Sequence, residues 1–371
     1  MNLFATILGL MMVMETKAFA AQQVQIGPFA SRGLWTSTVQ KDGAKAPAII
    51  MIPGSGPHGP ECMIPGSMTA DGLDHALLNQ LASSFVDAGW NVLTLGKPGI
   101  EYFSSWDANS RFYDENLYMH LRWQDLVDNL SAGVAFLRAQ PSVDPSRVYI
   151  LGHSQGTQVA VDYAGGDEKI RGLVLLGYSG EDIHSILEWQ LYKRPIEHFF
   201  AKDVDRDRDG AISRAEAASW PGPLSLDGVM FSWEFDASGI LSYQAIEQQL
   251  RRDPQNTELY ELLRKSDFYS GGVFNRGPIY QKTAAVKAPI YIYTGELDLL
   301  TQPIEALNAA SACHSVGKKN CTATIVTGLG HGFSAPRKPR EHPLLDITVG
   351  PIGPSFLDTL KTLALRLGAG D

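Results

Sequence analysis

The sequence predicts an α/β fold, a mainly parallel sheet covered by helices on both faces and interrupted by a helical insertion. Three observations predict it. Solid apolar runs alternate with segments of helical period, as they do where strands are buried on both faces. The alternation stops over residues 181–281 and then resumes, so sheet elements lie on both sides of the interruption. Between an apolar run and a helical segment stands Gly152-His153-Ser154-Gln155-Gly156, a sharp strand-to-helix turn with a serine at its apex.

The chain has 371 residues, 44% hydrophobic and 19% charged, which suits a globular core domain with an elaboration. A net charge of -9 without a basic stripe excludes a nucleic-acid partner. Residues 1–20 read as a signal peptide: an apolar run from Leu3 to Met14, too short to span a bilayer, leads to Ala18-Phe19-Ala20 before Ala21. The first residues lack the usual positive charge. The segment predicts export, to the periplasm or outside the cell, with no stable membrane anchor. Export is compatible with a disulfide between Cys313 and Cys321, leaving Cys62 over.

In chain order, residues 24–41 are short and extended with an antiparallel look. Residues 48–52 form a buried strand that runs into the tight loop Pro53-Gly54-Ser55-Gly56-Pro57. A helix is expected over 73–89, a strand over 90–95 ending in Lys97-Pro98-Gly99, and one long amphipathic helix over 117–138. Strands follow at 147–151 and 172–176. After the insertion come a strand at 289–293, a helix at 303–313, a strand at 322–326 and a final helix near 354–367. The division is therefore 21–180 and 282–371 for the sheet domain, with 181–281 as a cap.

A serine becomes a useful nucleophile when an imidazole takes its proton and a carboxylate fixes the imidazole's tautomer. The strand before 294 ends in Thr294-Gly295-Glu296-Leu297-Asp298, and the next ends in Gly330-His331-Gly332. Both are strand-end positions where such partners belong. Asp298 is preferred to Glu296 on register, and His331 to His342, which has no strand before it. His153 is expected to pack, and His58 borders the loop at Ser55.

With these residues in place the chain resembles the α/β-hydrolases, whose triad runs serine, acid, histidine along the sequence. The resemblance covers all but the signal and the insertion. It implies an eight-stranded sheet with the cap between strands 6 and 7, Ser154 as nucleophile, His331 as base and Asp298 as orienting acid. It also implies an oxyanion hole from the Gln155 amide and an amide of Ser55 or Gly56. Ser-Gln-Gly elbows resemble those of esterases and lipases, so a carboxylic ester is the expected small-molecule substrate. A prolyl or aminopeptidase-type peptidase is the alternative. No charged specificity determinant is legible.

Within the insertion, residues 205–216 match the EF-hand loop at every constrained position. Asp205, Asp207, Asp209, the Ala211 carbonyl, Ser213 through water and bidentate Glu216 supply the oxygens calcium needs. A second loop at 234–245 keeps Gly239 and sets Leu241 where Ile212 sits, yet ends in Ala245. The expectation is a structural calcium ion ordering the cap, outside the chemistry. A third reading is a non-catalytic calcium-binding protein on a hydrolase scaffold.

Overall fold

A strand covered on both faces needs apolar side chains at every position, and the central strands meet that demand. The computed structural model describes residues 21–38, 43–66, 69, 71–103, 111–220, 224–226, 229–335 and 350–370. The expected signal at 1–20, and His342, lie outside the described residues. The main sheet comprises β1 Gln22–Ile26, β2 Ser31–Thr36, β3 Ala46–Ile52, β4 Asn91–Leu95, β5 Val143–His153, β6 Gly172–Leu176, β7 Ile290–Gly295 and β8 Cys321–Val326. Its eight strands run in the order β1-β2-β4-β3-β5-β6-β7-β8. β2 is antiparallel to both neighbours, and every other pairing is parallel. This is the sheet the α/β reading called for.

The main helices are α1 Leu77–Asp87, α2 Trp123–Ala139, α3 Gln155–Ala164, α4 Tyr243–Arg252, α5 Pro254–Lys265, α6 Pro303–Ser315 and α7 Pro354–Ala369. Alternation along β3 sorts them into two layers. Ile50 belongs to the same buried cluster as Leu130 and Val134 of α2, Val159 of α3 and Ala309 of α6. Its neighbours Ile49 and Met51 face the other way, toward Leu81 and Phe85 of α1 and Leu360 of α7.

Between β6 and β7 the chain forms Ile183–Leu187, continues through π-helical turns at Glu188–Lys193 and Ile196–Val204 to α4 and α5, and returns through Asp267–Tyr269 and Tyr280–Ala285. Short strands Ala211–Ser213 and Ile240–Ser242 pair antiparallel ahead of α4, with Ile212 opposite Leu241. This segment has its own core around Phe199, Phe200, Ile212, Phe231, Leu241 and Ile246. No helix among the described residues is long and apolar enough to cross a membrane.

Two expected elements differ. The single helix over 117–138 is two, Glu115–Met119 and α2. Asp114 caps the first by accepting from the Leu117 amide, and Asp125 accepts from the Arg122 backbone at 2.7 Å to start the second, with Arg122 itself extended. Apolar spacing carries across the break, so periodicity alone cannot register it. The helix expected from 73 starts at Leu77, because His75–Ala76 pairs with Met63–Ile64.

Cys313 and Cys321 are joined as a disulfide, while Cys62 is a free, buried thiol. The bridge ties the end of α6 to the start of β8. Replacing both bridged cysteines with alanine is expected to lower unfolding free energy by about 2–3 kcal/mol from loop entropy alone. Urea denaturation followed by circular dichroism measures it.

Candidate active site

Ser154 adopts φ 54° and ψ -123°, a backbone state that costs a non-glycine residue about 1–3 kcal/mol. The turn holds it there. Its amide donates to the Leu176 carbonyl at 2.8 Å, and a Cβ on Gly156 would lie 2.7 Å from the Pro53 carbonyl oxygen. A Cβ on Gly152 would collide with the Gly156 carbonyl. The apex serine therefore stands clear of the sheet and faces a cavity of about 600 Å³.

The acid and the imidazole meet at the ends of β7 and β8. Asp298 is fully buried, and His331 nearly so. The Asp298 Oδ1 accepts from the Leu300 and Thr301 amides at 3.0 and 2.9 Å. Its Oδ2 accepts from the Thr301 hydroxyl at 2.9 Å and from His331 Nδ1 at 2.8 Å. A carboxylate can only accept, so the His331 proton sits on Nδ1 and Nε2 keeps its lone pair. Glu296 turns away and accepts from the Gly328 amide at 2.9 Å.

His153 donates from Nε2 to the His331 carbonyl at 3.1 Å, its ring 4.8 Å from that of His331 between centroids. Burial, with the neighbouring His331, pushes its imidazole down to about 3, so it is neutral and packs as a prop. The His58 ring lies against Gly56 and is likewise pushed down to about 3 by burial.

Of the expected oxyanion residues, Ser55 and Gln155 both line the cavity. The Gln155 amide heads α3, where the first N–H groups of a helix have no acceptor within it. Its side chain accepts from Lys97 Nζ at 2.9 Å and donates to the Tyr269 hydroxyl at 2.8 Å. Ile183, Ile186, Leu187, Leu259, Leu262 and Phe268, all from the insertion, give the cavity its apolar wall.

Four contributors were not legible in the sequence. Thr301 braces Asp298, and Tyr269 braces Gln155. Trp189 and Gln190 donate from their side chains to the Leu299 and Leu300 carbonyls at 2.8 and 3.0 Å, gripping the loop that carries the acid. Lys97 lines the cavity too, where the sequence offered only a turn at the wall.

In the acidic loop, carboxylate oxygens of Asp205, Asp207 and Asp209 lie within 4.8 Å of one another. Asp205 accepts from the Gly210 amide and, at 2.5 Å, from the Tyr243 hydroxyl of α4. Glu216 accepts from the Arg206 and Ser213 amides at 2.8 and 2.9 Å, which folds its carboxylate over the loop. Hard oxygen donors from three clustered aspartates suit a calcium ion, and Glu216, in the helix that follows the loop, holds its carboxylate to the loop's Arg206 amide.

Neither a protein-family model nor a curated protein sequence matches the chain. Among solved structures it is similar to Est1E from Butyrivibrio proteoclasticus, at 14% identity and TM-score 0.48, over 93% of this chain and 98% of that one. It is also similar to a puromycin-hydrolyzing peptidase of Mycobacterium tuberculosis, at 13% and 0.49, over 93% of this chain and 40% of that one. A third is DcsB in complex with a substrate analogue, at 18% and 0.49, over 94% and 99%. At these identities and scores the chemistry of this chain rests on its own residues.

Thr301→Val removes a donor from a fully buried carboxylate. Stability is expected to fall by about 1–3 kcal/mol, with a shift of the His331 Nδ1 proton resonance, read by denaturant titration and proton NMR.

Proposed function

We propose that this chain is a serine hydrolase that cleaves carboxylic esters through an acyl-enzyme on Ser154. The observation that carries the reading is the buried Asp298–His331 pair at the strand ends beside a strained apex serine. A packing histidine has no need of a fully buried carboxylate held by three further donors. Ser154 Oγ attacks the ester carbonyl carbon and passes its proton to His331 Nε2. The resulting oxyanion is held by the Gln155 amide and an amide of Ser55 or Gly56. Collapse breaks the carbon–oxygen bond, and the His331 proton leaves with the alcohol. Water then attacks the acyl carbon, again with His331 as base, and frees the acid and Ser154. The Asp298 carboxylate orients His331 and steadies the imidazolium.

Two observations favour esters over the peptidase alternative. The wall facing Ser154 is apolar, and Asp267, the acidic side chain among the described lining residues, is exposed. No buried carboxylate among them is placed to receive a peptide amino terminus.

The protein is further proposed to be exported and to bind one calcium ion at Asp205, Asp207, Asp209, Ala211, Ser213 and Glu216. The disulfide supports an oxidising compartment. The ion, when bound, neutralises the clustered carboxylates and holds the insertion's two loops in register.

A fluorophosphonate is expected to label the wild type and not Ser154→Ala, and Asp298→Asn to lower kcat about 10⁴-fold. Labelling that survives in Ser154→Ala overturns the assignment. Parallel assays on p-nitrophenyl esters and on aminoacyl or prolyl anilides decide between ester and peptide; anilide cleavage without ester turnover reverses the ranking.

Calcium at a hundredfold over its dissociation constant contributes about 2.7 kcal/mol to whatever unfolds with the site. Addition of calcium to chelated protein is expected to raise Tm on the order of 5 °C, and Glu216→Gln to abolish the rise. An unchanged Tm in the wild type defeats the calcium site.

A further inference from the structure

Lys97 follows β4 and lines the cavity beside Ser154, yet it is only 5% exposed. Its Nζ donates to the Gln155 side chain at 2.9 Å, and none of the described carboxylates forms an ion pair with it. The titratable groups around it are themselves uncharged. The Cys62 thiol is pushed up to about 12 by burial, and His58 is pushed down to about 3. Burial accordingly pulls Lys97 down to about 7, with only the Cys62 thiol acting against it.

An ammonium stripped of water and left without a counter-ion is costly to keep, and an apolar side chain of similar length would fill the same space at no such cost. The other polar groups of this end of the cavity have work in the proposed chemistry: Ser154 attacks, and the amides near Ser55 and Gln155 receive the oxyanion. The Gln155 side chain is occupied at both ends, by Lys97 and Tyr269. Two Nζ hydrogens of a protonated Lys97 thus remain for a ligand in the cavity. Ile183, Leu187, Leu259 and Phe268 give the cavity apolar surface, and the other lysine of its lining, Lys265, is exposed and already paired with Glu261.

We infer that Lys97 is the specificity-determining cation of this site, and that the substrates are esters carrying a carboxylate, which becomes the counter-ion Lys97 lacks. The inference rests on the ester-hydrolase reading and names its substrate class. The anion is bound and not consumed; the bonds made and broken remain those at the ester. Charge selects the end of the substrate that enters first, and the apolar wall accommodates its hydrocarbon part.

The test pairs each acidic ester with a neutral one in which the carboxylate is replaced by hydroxymethyl. Monomethyl esters of succinic, glutaric and adipic acids place the anion on the acyl side. The acetyl ester of 3-hydroxybutyrate places it on the alcohol side. In the wild type, kcat/KM for at least one acidic ester is expected to exceed that of its neutral partner by about tenfold or more. In Lys97→Met that ratio should fall about tenfold or more, to near one. A wild-type ratio near one across all pairs, or a ratio unchanged in Lys97→Met, overturns the inference.

Equilibrium binding keeps it separate from turnover and from the folding of the Lys97 variant. Full-length Ser154→Ala, with Lys97 intact, is expected to bind the preferred acidic ester about tenfold more tightly than its neutral partner by calorimetry. Equal affinities overturn the role of Lys97 even if ester hydrolysis is fast. Preferential binding without turnover of any ester upholds Lys97 and removes the hydrolase reading instead.

Discussion

The Asp298 carboxylate sets the terms for the rest of the site. A fully buried carboxylate persists only where its lone pairs are filled, and here two amides, a hydroxyl and an imidazole fill them. That requirement shapes the loop after β7, because the Leu300 and Thr301 amides reach Oδ1 only if the chain folds back immediately. The fold-back leaves the Leu299 and Leu300 carbonyls pointing outward, and Trp189 and Gln190 of the insertion take them. The insertion is thus more than a roof. It is one of the supports of the acid, although it enters the sequence more than a hundred positions earlier.

A second strut joins the insertion to the turn that carries Ser154. Tyr269 holds the Gln155 side chain, whose other end is held by Lys97, and Gln155 begins the helix that Ser154 caps. The strained serine backbone is therefore fixed from the sheet side by Leu176 and from the insertion side through its neighbour. Trp189, Gln190 and Tyr269 all reach from the insertion to the sheet domain, and Tyr269 is itself buried in the core that holds Ile50 and Leu175. Displacement of that segment disturbs the acid loop and the elbow helix together.

Most of the sheet was legible because its strands are buried on both faces, and few sequences other than strands are solidly apolar for five to seven residues. Residues 48–52, 172–176 and 289–293 fall within β3, β6 and β7 or within one residue of them. The break between Glu115–Met119 and α2 was not legible. Leu121 and Trp123 keep the apolar stripe going, and only the reach of Asp125 back to the Arg122 amide ends it. Ser154, Asp298 and His331 could be proposed from strand-end position and chain order. Thr301, Tyr269, Trp189 and Gln190 could not, since each acts through a contact between segments that no local pattern encodes.

Lys97 marks the same limit from the side of charge. In the sequence it is one of 31 basic residues in a chain of diffuse acidity, and lysines at strand ends are ordinarily solvated. What distinguishes it is geometric: it is nearly buried at the cavity, its Nζ meets the Gln155 side chain, and none of the described carboxylates forms an ion pair with it. The charge therefore comes from the sheet domain and the apolar wall from the insertion. Under the proposed ester-hydrolase reading such a division lets the two features change independently, the wall with the length of the substrate's hydrocarbon and the lysine with its charge. Ser154, Asp298 and His331 need not move in either case.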